Sequence, residues 1–163
     1  MNLPTPFHSA LVLFRRDLRD YDHAAFSAAL RNARQVFCAF IFDSKILGSL
    51  PHRSDRRIQF IHSSLIELDA SLRARGGSLI VRIGNPVMEI PQLANQLGVQ
   101  AVFANRDYEP GAKWRDHRVA QALATRQISF TLSKDQALFD GDEVLTAQNT
   151  PFSVFTPYAN AWL

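Results

Sequence analysis

The residues able to do chemistry gather in two stretches. The first is Arg15, Arg16, Asp17, Arg19 and Asp20, a burst of charge that follows the apolar run Ala10 to Phe14. The second is Asn105-Arg106-Asp107-Tyr108-Glu109-Pro110, followed by Lys113, Trp114, Arg115, Asp116, His117 and Arg118. Nothing around them supplies a reactive nucleophile of the G-x-S-x-G type, and the histidines show no i, i+4 pairing. The single cysteine, Cys38, offers no metal-ligand spacing, and neither a dinucleotide fingerprint nor a phosphate loop is present. Carboxylates are plentiful, but no spacing brings two of them into one cleft. The two stretches therefore read as ligand-binding loops with the ligand undefined. The alternative is structural: Arg115 and Asp116 pair with the first loop for stability alone, or the charges only solvate the surface.

Loops of this kind need a scaffold, and the composition supplies one. At 163 residues, with 20% charged and 47% apolar residues, the chain fits one globular domain with a sizeable core. A formal charge of +3 and a pI near 9.4 hint at anionic partners without showing nucleic-acid binding. Cys38 sits inside V-F-C-A-F-I-F and reads as a buried structural thiol of a reduced, cytoplasmic protein. The amino terminus has no basic segment followed by an apolar one, and no apolar run is long enough to cross a bilayer.

Ala10 to Phe14 predicts a strand buried on both faces of a parallel sheet. A short helix is expected over His23 to Asn32 with Asp22 as its cap, then a strand over Gln35 to Phe42 and a loop containing Gly48 and Pro51. The longest helix, from about Asp55 to Arg75 with Ser54 as cap, carries the apolar stripe Ile58, Ile61, Leu65, Leu68 and Leu72. Asp69 and Arg73 pair on it, and Gly76-Gly77 ends it. A third strand covers Leu79 to Ile83. Asn85 and Pro86 then open a helix that runs to Leu97 and tolerates Pro91 only if that residue lies early. A fourth strand (Ala101 to Ala104), a basic helix (about Ala112 to Thr125) and a fifth strand (Ile128 to Leu132) follow. This alternation predicts an α/β fold: a Rossmann-like, doubly wound, five-stranded parallel sheet of order 3-2-1-4-5 with helices on both faces. In that order both charged loops flank the switch-point crevice at the carboxyl edge. After residue 133 the chain reads as irregular, and Phe152, Phe155, Tyr158, Trp162 and Leu163 form an apolar group that nothing following can bury, as if the chain were cut there.

Several of these stretches resemble the DNA photolyase and cryptochrome family. They are F-R-R-D-L-R with D-x-A-A-F (Phe14 to Phe26), R-x-x-F-I-x-x-S-L-x-x-L (Arg57 to Leu68), G-N-P (Gly84 to Pro86), N-R-D-Y-E-P (Asn105 to Pro110), R-D-x-x-V (Arg115 to Val119) and V-F-T-P-Y-x-x-A-W (Val154 to Trp162). They occur in family order along nearly the whole chain. Departures are Asp20 and Phe26 where leucine is usual, and His23 where asparagine is usual.

The resemblance implies the amino-terminal antenna domain of a class I deoxyribodipyrimidine photolyase, over residues 1–132, with 133–163 starting a linker towards a helical FAD-binding domain. The family reaction is light-driven electron transfer from reduced FAD to a cyclobutane pyrimidine dimer in damaged DNA, with the lesion flipped out of the duplex. The FAD site and the DNA contacts belong to that helical domain, so the resemblance assigns no catalytic residue and no metal here. For such an antenna, position at the strand ends points to a rim made of Phe14, Arg15, Arg16, Asp43, Lys45, Asp107 and Glu109. Folate-binding relatives use an asparagine and a glutamate where this chain has Gly111 and Ala112, so a deazaflavin or another flavin is favoured over methenyltetrahydrofolate. Other readings are a cryptochrome-type blue-light receptor domain, a free-standing nucleotide-binding α/β module, and an interaction module built on the aromatic tail.

Overall fold

The structure is a computed structural model and describes residues 6–50, 55–139 and 143–163. Its elements are β1 (Phe7–Phe14), α1 (Ala24–Asn32), β2 (Ala33–Asp43), α2 (Ser44–Gly48), α3 (Arg56–Ala74), β3 (Leu79–Gly84), α4 (Pro86–Gln96), β4 (Ala101–Asn105), α5 (Pro110–Ala124), β5 (Ser129–Ser133) and α6 (Phe155–Trp162). The strands form one parallel sheet of order β3-β2-β1-β4-β5, as the alternating pattern predicts.

The central strand explains the layering. Ala10, Val12 and Phe14 point to one face, where Ala25, Phe26 and Ala29 of α1 and Leu68 and Leu72 of α3 cover them. Leu11 and Leu13 point to the other, against Ile90, Leu93 and Ala94 of α4 and Val119 and Leu123 of α5. Burying a side chain of the Leu, Ile or Phe class is worth roughly 1.5–3 kcal/mol, so the two clusters hold the layers together. Cys38 lies in the first cluster, where burial pushes its thiol up to about 12, and it stays a neutral apolar side chain.

Several local expectations need correction. The cap of α1 is His23, whose Nδ1 accepts the Phe26 N–H at 3.1 Å. Asp22 stands in a left-handed turn (φ 45°), one residue too early to cap. Asp55 caps α3 by accepting the Arg57 N–H, while the expected cap Ser54, like Pro51, lies outside the described residues. Of the predicted stripe on α3, Leu65, Leu68 and Leu72 reach the core; Ile58 and Ile61 are only half-buried. The stretch read as a loop contains the one-turn helix α2, capped by Asp43.

The tail is not wholly irregular, because α6 forms there. Phe155, Tyr158 and Trp162 recur at i, i+3 and i+7, and Pro157 sits within the first turn, where a missing N–H costs nothing. Pro91 lies in the second turn of α4, and the helix continues past it to Gln96. Asn85, Pro86 and the left-handed Gly76 behave as their sequence context predicts.

A buried polar cluster ties β1, α1 and β4 together. Asp17 Oδ1 accepts the Arg15 N–H at 2.8 Å, and Oδ2 accepts from Asn105 Nδ2 at 2.7 Å and His23 Nε2 at 3.0 Å. Asn105 Oδ1 accepts the Ala25 N–H at 2.9 Å, which fixes its amide orientation. Because His23 Nδ1 accepts a backbone N–H, its proton sits on Nε2, facing Asp17. Burial alone would raise the Asp17 pKa, but these donors outweigh it and hold the carboxyl at about 2. Its folded pKa is thus below the unfolded value of 3.8, so the stabilisation is present above that value and lost as pH falls through about 2. Asp17→Asn, which turns an amide donor towards two existing donors, should cost about 2 kcal/mol or more at neutral pH. Urea denaturation across the acid range should show the gap between wild type and variant closing between about pH 4 and pH 2; a gap that stays constant would remove the charge of Asp17 as its cause.

Candidate functional site

The carboxyl edge of the sheet holds a cleft of about 460 Å³. Its floor is the strand ends, Leu13 and Phe14 of β1 with Phe40 and Phe42 of β2. Ile46 and Leu47 of α2, Ile58 and Ile61 of α3, and Ile90 of α4 make its apolar walls. The incomplete descent of α3 onto the sheet creates this space: its last turns pack on the core, whereas Ile58 and Ile61 face the cleft. The charged residues of the lining are Arg15, Arg16, Asp43, Asp107 and Arg115. An apolar slot with polar groups along one border suits a flat aromatic ligand whose edge hydrogen-bonds.

The charged side is an interlocked set of three arginines and three carboxylates. Arg15 grips Asp116 in a bidentate pair, Nη1 to Oδ2 at 2.9 Å and Nη2 to Oδ1 at 2.7 Å, and Nη1 also donates to the Asn105 carbonyl at 3.0 Å. Arg115 joins both acids, with Nη2 to Asp107 Oδ2 at 3.0 Å and Nε to Asp116 Oδ1 at 3.1 Å. Arg16 reaches the other oxygen of Asp107 at 3.1 Å and Glu109 at 2.7 Å. Burial and then the nearby Arg115 charge pull the Arg15 guanidinium below its ordinary value, against Asp116 and Asp107, which favour its charged form. The Arg16 bond holds the exposed Glu109 carboxyl below its usual range.

Five of the seven predicted rim residues line the cleft: Phe14, Arg15, Arg16, Asp43 and Asp107. Asp43 also caps α2, so one of its oxygens is committed to the Lys45 N–H. Glu109 stands outside on Arg16, and Lys45 reaches across to α5, its Nζ 5.9 Å from the centre of the Trp114 ring. The structural alternative for the second loop is also realised, since Asp116 pairs with Arg15 of the first. Sequence reasoning did not find the apolar walls from α2, α3 and α4, nor the Asp17–His23–Asn105 cluster beneath the rim. Asp17 and Asn105 both sit in the two charged stretches, which was the available signal. Among the described residues, no group of three or more His, Cys, Asp or Glu is placed to hold a metal ion, and no helix is long and apolar enough to cross a membrane.

Removing one partner from a buried pair leaves the other charge stranded, at a cost of roughly 3–5 kcal/mol. Asp116→Ala should therefore destabilise the chain by that amount, whereas Glu109→Ala, on an exposed pair, should change stability little. Chemical denaturation of the two variants beside wild type measures both.

The comparisons with known proteins agree with this architecture. The DNA photolyase family profile matches residues 10–163. A deoxyribodipyrimidine photo-lyase of Synechococcus sp. is 36% identical over 156 residues, covering 94% of this chain and 32% of that protein. Two solved structures share the fold. An archaeal photolyase from Sulfolobus tokodaii, whose crystal structure holds two FAD molecules, superposes with a TM-score of 0.77 at 29% identity, over 93% of this chain and 34% of its own. A class III photolyase from Agrobacterium tumefaciens superposes with a TM-score of 0.81 at 27% identity, over 96% and 31%. The chain spans about a third of the length of these relatives. With a profile match over all but the first nine residues and a sheet of the same order, this chain belongs to the DNA photolyase family.

Proposed function

We propose that this chain is the light-harvesting part of a DNA photolyase, and that the cleft at the carboxyl edge of its sheet holds the antenna chromophore. In this reading residues 1–132 form the antenna domain, and 133–163 lead towards a helical FAD-binding domain of the kind that completes the longer relatives. The observation that carries it is the cleft itself: about 460 Å³, lined mostly by apolar side chains with a few charged ones among them, at the switch point of a doubly wound sheet. Phe14, Arg15, Arg16, Asp43 and Asp107 form its rim, with Lys45 and Glu109 at its outer edge. When bound, the chromophore supplies absorption and energy transfer. The chain supplies a dry aromatic and aliphatic slot and fixed polar contacts along one border.

The ligand favoured is a flavin or deazaflavin. Its tricyclic ring suits a slot walled by Phe14, Phe40, Ile46 and Ile58. The Sulfolobus tokodaii photolyase binds two FAD molecules, with the implication of a novel light-harvesting cofactor in that protein, which supports carrying the idea here. Methenyltetrahydrofolate is disfavoured. Gly111 and Ala112, in the first turn of α5, offer no side-chain partner to a pterin, and an unpaired buried polar group costs roughly 1–3 kcal/mol. Light-driven repair of a cyclobutane pyrimidine dimer through reduced FAD is proposed for the complete photolyase, with damaged DNA as its substrate, in the cytoplasm. No catalytic residue is assigned to this chain.

Two measurements test this. After incubation and gel filtration, the chain should retain a flavin and pass methenyltetrahydrofolate through; stoichiometric folate with no flavin would reverse the assignment. Ile46→Trp should fill the cleft from an exposed position, weakening flavin binding more than tenfold, about 1.4 kcal/mol, with the melting temperature nearly unchanged. Fluorescence titration of wild type and variant reads the difference.

A further inference from the structure

The mouth of the cleft carries cations that the carboxylates of the rim do not neutralise. Arg15, Arg16 and Arg115 are matched by Asp107, Glu109 and Asp116. Lys45 and Arg118 are not: among the described residues neither the Lys45 ammonium nor the Arg118 guanidinium has a carboxylate oxygen within 4.0 Å. Both instead gather on one exposed indole, with Lys45 Nζ 5.9 Å and Arg118 Cζ 5.8 Å from the ring centre of Trp114. An indole attracts cations through its quadrupole but leaves their charge intact. With the cleft's Asp43 counted, five cations face four carboxylates, so the edge keeps a net positive charge, held beside an aromatic ring that is 58% exposed.

Its position relates it to the cleft. Lys45 lies on α2 between Asp43 and Ile46, and Trp114 on α5 directly precedes Arg115; Asp43, Ile46 and Arg115 all line the cleft. The Lys45–Trp114 contact therefore joins α2 to α5, two helices that each carry residues of the cleft lining. The tail of a ring seated on Phe14 and Phe40 would need to extend only past Ile46 or Arg115 to approach these cations.

We infer that Lys45 and Arg118, assembled on Trp114, select a chromophore with an anionic, phosphate-bearing tail over one with a neutral tail. This rests on the reading of the cleft as a flavin-type site and deepens it. The ring is chosen by the apolar slot, and the phosphate by the two cations on Trp114. Arginine can offer two parallel donors to a phosphate, and lysine a mobile point charge. Because both cations are exposed, the selectivity weakens as salt rises.

The test uses the 163-residue chain with riboflavin and riboflavin 5′-phosphate, two flavins with the same ring and ribityl chain. Equilibrium dialysis at low salt should give riboflavin 5′-phosphate at least a tenfold lower Kd, narrowing at high salt. The double variant Lys45→Ala, Arg118→Ala should lose most of that ratio by weakening the phosphate-bearing ligand far more than riboflavin. The charge reversal Lys45→Glu, Arg118→Glu should make riboflavin the better ligand. Both substitutions are on exposed side chains, and a thermal melt of each variant checks that the fold is kept. Equal affinities in the wild type, or a ratio unchanged in folded variants, would overturn the inference while leaving the flavin cleft standing. Binding of neither flavin would overturn the cleft reading and this inference with it.

Discussion

A guanidinium buried at the end of the central strand is the constraint on which the rest of this edge depends. Arg15 follows Phe14 directly, and only 9% of its side chain is exposed. A charge in that position is tolerated only if opposite charge and hydrogen bonds replace the lost water. Asp116 supplies both through a two-point grip, and the Asn105 carbonyl takes a further bond. Asp116 lies on α5 and Asn105 ends β4, so satisfying Arg15 fixes how α5 leaves the sheet. Arg115, the residue before Asp116, is carried into the same cluster and needs Asp107 for its own balance. One buried charge thus sets the positions of the second loop, the first turns of α5 and the polar border of the cleft.

Below that layer, Asp17 does for α1 what Arg15 does for α5. Its carboxylate collects donors from Arg15, His23 and Asn105, and Asn105 in turn accepts the Ala25 N–H at the start of α1. His23 completes the arrangement by capping α1 with Nδ1 while donating from Nε2. A histidine can serve both ends because its two nitrogens take opposite roles in the neutral ring. An asparagine in place of His23 could cap the helix too, but its shorter side chain would reach Asp17 differently. The chain after β5 adds to the same edge: Asp135 accepts the Ala24 N–H and pairs with Arg19.

These polar layers explain why the cleft can stay open. An apolar slot of this size would collapse if α2, α3 and α5 could move inwards, since filling it would gain dispersion contacts. The rim holds α5 in place. The Leu65, Leu68 and Leu72 stripe anchors the far end of α3 on the core, leaving its first turns proud of the sheet. Cleft and core are thus made from different parts of one helix, with Ile58 and Ile61 on the cleft side and the leucines on the packing side.

What the sequence determined by itself was everything governed by periodicity and local chain stiffness. The apolar run at Ala10 to Phe14, the alternation of strand and helix, the left-handed Gly76 and the Asn85-Pro86 helix start were all legible, because each depends on residues a few positions apart. The observed strand order 3-2-1-4-5 is the expected one for a doubly wound sheet of this kind. Phe14, Arg15, Arg16, Asp43 and Asp107 could be placed at the cleft because strand ends converge there in any sheet of this order. Tertiary structure alone decided the rest. Whether Ile58 packs on the core or lines a cleft depends on the angle at which α3 crosses the sheet, and no spacing within the helix encodes that angle. Which of Asp22 and His23 capped α1 depended on Asp17 and Asn105 arriving from elsewhere, with Asn105 82 positions along the chain from His23. The pairing of Arg15 with Asp116, 101 positions apart, is of the same kind. Periodicity reports which face of an element is apolar; it carries no information about what another element brings to meet that face.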